Sequence, residues 1–116
     1  AILPTFVFTI VGTLTTGTNL TPALIVQNAW TITKAYAYVK TAPTGASILI
    51  DINRNGTSIW NTDQGNRLTI PVSTQTGSQT IFDTTSLYEG DILSIDIDQV
   101  GSTVTGADIT VELKVN

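Results

Sequence analysis

Cysteine, histidine and methionine are all absent from the 116 residues. Without cysteine there is no disulfide framework and no thiolate metal site. Without histidine there is no Ser-His-Asp or Cys-His relay, and the commonest ligand of catalytic zinc, copper and non-haem iron is missing. Charge is scarce too: five Lys and Arg stand against nine Asp and Glu, for a net charge of −4. Five scattered basic residues do not neutralise a run of phosphates, so nucleic acid is not an expected partner. No apolar run approaches the roughly 18 residues that cross a bilayer as a helix, and no basic segment precedes an apolar one at the N-terminus, so membrane insertion is not expected. The absence of Met at position 1, in front of the small Ala1, is read as removal of an initiator Met.

What remains suits one packed β domain over residues 1–116. Threonine makes up roughly a fifth of the chain and favours half-buried pleated surfaces without adding charge. Residues 2–14 read as a first strand, with Phe6, Phe8, Ile10 and Leu14 on one parity and Thr5, Thr9 and Thr13 on the other. Strands follow at 23–27, 30–40, 48–53, 57–60, 68–72, 79–83, 93–98 and 109–115. In the strand at 30–40 Trp30, Ile32, Tyr36 and Tyr38 share a parity and are expected on a core or subunit-interface face, while Ala35, Ala37 and Val39 lie on the other face, which is also open to burial. Asn55-Gly56 marks a type I′ hairpin, because both residues tolerate positive φ. Helical spacing appears nowhere, and turns recur every eight to twelve residues. The fold class is therefore all-β: an antiparallel β-sandwich, jelly-roll-like, of about eight or nine strands.

Candidate chemistry is sparse, and neither a catalytic set nor a cofactor site is expected. Asp96 and Asp98, two residues apart on one strand, are a possible carboxylate pair, but the alternation marks their face as solvated. Asp51, Asn53, Asp96 and Asp98 would share one sheet face if their strands were neighbours, which makes them calcium candidates, although no D-x-D-x-D-G loop is present. For glycan stacking the aromatic candidates are Trp30, Tyr36, Tyr38, Trp60 and Tyr88; the first three share the parity of Ile32 and are expected to be buried, which leaves Trp60 at the end of a hairpin and Tyr88 in a turn as the exposed platforms. Phe6, Val7, Phe8, Ile10 and Val11 place large apolar residues on both parities of the first strand, more than one sheet face buries. These five are candidate subunit-contact residues, placing the N-terminal strand 1–14 in an interface of a homo-oligomer, with a trimer the expected form.

Several segments together resemble a known domain: Tyr36-Ala37-Tyr38-Val39, Ala42-Pro43-Thr44-Gly45, the hairpin from Asp51 to Trp60, and Glu89-Gly90-Asp91 leading into Asp96-Ile97-Asp98-Gln99-Val100-Gly101. They resemble a small β domain of tailed-bacteriophage structural proteins. That resemblance implies a non-enzymatic virion component, assembled in the host cytoplasm: a capsid decoration, head fibre or head/tail appendage protein. Its implied partners are copies of itself, other virion proteins and, in an adhesin role, host-surface glycans.

Overall fold

The computed structural model describes residues 4–116, so Ala1, Ile2 and Leu3, where the expected first strand begins, lie outside the described residues. Ten strand segments follow: β1 (Thr5–Thr13), β2 (Leu24–Ile25), β3 (Trp30–Thr41), β4 (Ile48–Arg54), β5 (Thr57–Ser58), β6 (Leu68–Ile70), β7 (Thr76–Gln79), β8 (Ser86–Leu87), β9 (Ile92–Gln99) and β10 (Ala107–Val115), with a 3-10 turn at Gln64–Asn66 between β5 and β6. They form two antiparallel sheets. One has the order β1-β10-β3-β7, with β8 also on β3, and the other β2-β9-β4-β5, with β6 also on β4. Counting β5 with β6 and β7 with β8 as interrupted strands leaves eight ladder positions, four in each sheet.

The pairing is nested. β1 pairs β10, β2 pairs β9, β3 pairs β7 and β8, and β4 pairs β5 and β6. The chain is thus one long two-stranded ribbon, doubled back near residues 55–67 and rolled so that β10 meets β3 and β9 meets β4. This is the jelly-roll arrangement, two sheets joined through crossing connections. At the ribbon's tip Asn55 (φ 51) and Gly56 (φ 83) make the expected turn between Arg54 and Thr57.

Alternation decides what is inside. Ile48, Ile50, Ile52, Leu93, Ile95 and Ile97 from one sheet face Phe8, Ala35, Ala37, Val39, Ile109, Val111 and Leu113 from the other, all buried. At one side of the sandwich β6 meets β7 so closely that a Cβ on Gly77 would stand 2.0 Å from the Thr69 carbonyl oxygen, so only bare backbone fits there.

Two local departures matter for function. In β3 the inward parity changes: Ile32 faces the core, but so do Ala35, Ala37 and Val39. The cause is a bulge, since Lys114 and Val115 pair Lys34 and Ile32, leaving Thr33 as the extra residue, with its Oγ1 donating to the Lys114 carbonyl at 3.1 Å. Tyr36 and Tyr38 therefore point outward, against the expectation of a core or interface face shared with Ile32. The strand expected at 79–83 is also absent. Thr76–Gln79 forms the strand instead, held to β3 through its backbone, whereas Ile81 is exposed and Phe82 packs against the core from a loop.

Candidate binding surface

The outer face of the β2-β9-β4-β5 sheet carries the calcium candidates. β4 and β9 are neighbours, and Asp51 stands directly opposite Asp96 with Asn53 opposite Ser94. Asp98 is the unpaired residue of a second bulge, between Ile97 and Gln99, and its Oδ2 forms an ion pair with Arg67 Nη1 at 2.9 Å. The carboxylates are occupied by protein donors. Asn53 Nδ2 and the Asn19 backbone N–H donate to the two oxygens of Asp96 at 2.9 and 3.0 Å, and the Ser58 hydroxyl donates to Asp51. Among the described residues no group of three or more His, Cys, Asp and Glu is placed to hold a metal ion. Asp51, Asn53, Asp96 and Asp98 do come to one face, but as a hydrogen-bonded network with an arginine in it and not as a calcium cage.

Nor is that face simply solvated, because Asp51, Asn53 and Ser94 are buried there. Burial pushes the Asp51 carboxyl above its usual value; the hydrogen bond from Ser58 opposes this, while Asp98 and Asp96 reinforce it. A carboxylate whose folded pKa is raised costs the fold nothing at pH below its ordinary value, where both states are protonated; the cost grows as the pH climbs from the ordinary to the raised value and is full above it. Asp51→Asn keeps an acceptor for Ser58. It is expected to raise the denaturation midpoint at neutral pH, with the gain shrinking towards zero as the pH falls to the ordinary carboxylate range. Denaturant melts across that range check it; equal gain at every pH would overturn it.

Trp60 is not an exposed platform. It is fully buried; its Nε1 donates to the Ile81 carbonyl at 2.7 Å, and its ring stacks on Phe82 with centroids 5.7 Å apart. Ser58, Gln64 and the Trp60 backbone link it to the polar network: Trp60 N–H donates to Ser58 Oγ, and Gln64 Nε2 donates to Ser58 Oγ and the Trp60 carbonyl. Tyr88 is exposed in the turn before β9, where its backbone N–H donates to Asp91.

The five residues singled out in β1 divide by parity. Phe8 is buried in this chain's own core; Phe6 and Ile10 pack against that core, Phe6 meeting the Trp30 ring edge-on at 5.8 Å. Phe8 is thereby a core residue of this chain, while Phe6 and Ile10 stay partly exposed. Val7 and Val11 point outward, 48% and 84% exposed. The surplus apolar surface of β1 is therefore those two valines.

The opposite sheet's outer face holds two aromatics that the sequence pattern assigned to a buried face. Tyr36 and Tyr38 are 41% and 48% exposed and stand side by side on β3. Ser78 and Thr76 lie across from them on β7, and Glu112 and Thr110 on β10. An open groove of about 500 Å³ runs among Tyr36, Tyr38, Thr76, Ser78 and Glu112. Both rings are held: Lys34 Nζ sits 4.6 Å from the Tyr36 ring centroid, and Gln75 Nε2 donates to the Tyr38 hydroxyl at 3.3 Å and to the Lys40 carbonyl at 2.9 Å. The chain's three lysines, Lys34, Lys40 and Lys114, all belong to this sheet, together with Glu112 and Asp108 of β10, whereas Asp51, Asp96 and Asp98 belong to the other sheet.

In comparisons with known proteins, no family model and no curated protein matches the chain.

Proposed function

We propose that this chain is a non-enzymatic structural component of a bacteriophage particle, a capsid decoration or head/tail appendage protein that works through protein–protein contacts. The resemblance of the Tyr36–Val39, Asp51–Trp60 and Glu89–Gly101 segments supports it, and a jelly roll is a fold that capsid proteins use. The observation that carries the contact role is the edge of β1. Its nine residues, TFVFTIVGT, contain no charge and no proline, pair with β10 on one side in unbroken register from Thr5 to Ile10 before a bulge at Val11-Gly12, and carry Val7 and Val11 outward. Edges that stay unpaired are usually guarded by lysine, proline or short length. The regular stretch Thr5–Ile10, free of charge and proline, suits pairing with a second subunit, and the expected assembly is a trimer closed about a three-fold axis.

The test is the mass in solution. The full chain is expected to sediment as a homo-oligomer, and Val7→Lys/Val11→Lys as a monomer with its denaturation midpoint little changed, because both positions lie outside the core. A full-length protein that stays monomeric at high concentration would overturn the contact role. Location of the gene among capsid and tail genes tests the virion role separately.

A further inference from the structure

We propose that the outer face of the β1-β10-β3-β7 sheet binds a linear saccharide carrying acidic groups, with Tyr36 and Tyr38 as the stacking platforms. This does not rest on the virion reading. Tyr36 and Tyr38 are two positions apart on one face of β3, which puts their Cα atoms about 6 to 7 Å apart along the strand. Successive rings of a pyranose chain present apolar C–H faces to such a row. Sugars also need hydrogen-bonding groups beside the stacking surface, and the groove supplies Ser78, Thr76 and Glu112 within one strand of the rings. Its volume falls within the roughly 300 to 1,000 Å³ of small-ligand sites. The tethers from Lys34 and Gln75 hold the rings in place before any ligand arrives, which lowers the ordering cost of binding.

The lysines specify the acidic character. Lys34 and Lys114 are direct cross-strand partners, an arrangement in which like charges repel. Among the described residues neither forms an ion pair; the single salt bridge there is Arg67 with Asp98 on the other sheet. Lys40 stands at the far end of the same row, beyond Tyr38. A carboxylate or phosphate on the saccharide would sit between Lys34 and Lys114 and relieve their repulsion. A protein partner fits the groove itself less well, because hydroxyls and a carboxylate surround the two tyrosines there, and the outward valines of this face, Val7 and Val11, lie on β1 with β10 between them and the rings.

The experiment is an array of linear oligosaccharides, neutral and bearing uronate, sialate or phosphate groups, probed with the labelled full-length chain and followed by titration of the bound species. Acidic members are expected to bind, more weakly as salt rises. Each of Tyr36→Ala and Tyr38→Ala is expected to weaken binding about tenfold, with melts unchanged at these exposed positions. Lys34→Gln/Lys114→Gln should remove the preference for acidic over neutral glycans while leaving residual binding. Absence of binding across the array would overturn the proposal. So would binding that survives both tyrosine substitutions, or that is lost instead with Tyr88→Ala, since either result places the saccharide elsewhere. Equal affinity for neutral and acidic members would overturn the acidic assignment.

Discussion

Replacing Trp60 by alanine is expected to lower the unfolding free energy by about 3 to 5 kcal/mol, the range for a large aromatic removed from a packed interior. The side chain is fully buried, and truncation takes away three things at once: the ring's volume, its stacking on Phe82, and the donor to the Ile81 carbonyl. It also undermines the 58–67 segment, because Gln64 and Ser58 bond to the backbone around Trp60. Trp60→Phe keeps most of the volume and loses the Nε1 donor, so a smaller loss of about 1 to 3 kcal/mol is expected from the orphaned carbonyl. Denaturant melts of both variants separate packing from hydrogen bonding. A midpoint unchanged in Trp60→Ala would mean that the residue stands in solvent, as its place after a hairpin had suggested.

Phe8→Ala is expected to cost a similar amount, about 3 to 5 kcal/mol. Val7→Ala, one residue away, is expected to stay within about 0.5 kcal/mol. The contrast follows from the strand's period of two. Phe8 pairs Val111 with both side chains in the core, whereas Val7 pairs Glu112 on the outer face. Melts at low protein concentration, where any oligomer has dissociated, isolate the single-chain effect. A large loss from Val7 and none from Phe8 would mean that the strand's register is shifted by one.

The layers of the fold were legible because period-two alternation survives burial on one face: Ile48, Ile50 and Ile52 against Leu49, Asp51 and Asn53, and Ile109, Val111 and Leu113 against Thr110, Glu112 and Lys114, all turn their isoleucines, valine and leucine inward. The Asn55-Gly56 turn was legible because few residues tolerate two positive φ values in succession. The outward direction of Tyr36 and Tyr38 was not. A bulge at Thr33 flips the parity of everything after it, and no composition signal in TITKAY announces an extra residue. Trp60 failed for a different reason: it lies beyond a two-residue strand, where alternation no longer dictates direction, and its neighbours Ile81 and Phe82 come from a distant loop. Asp51 and Asn53 look solvated in the sequence, since polar residues on an alternating face usually are. Their burial depends on what the rest of the chain lays over them, which periodicity does not report.

The nested ribbon also dictates how the chain must acquire its shape. The hairpin of β4 and β5 closes a loop of a few residues, whereas β1 and β10 join opposite ends of the chain, from Thr5 with Lys114 to Thr13 with Ala107. Loop-closure entropy grows with the length enclosed, so the innermost rungs are the least costly to form and the outermost the most. Folding dominated by such distant pairings runs on the millisecond-to-second scale. Until β1 docks, β10 offers an open edge and the core lacks Phe8, so the interval before the ribbon finishes rolling is when this chain is most prone to join another copy in the wrong register.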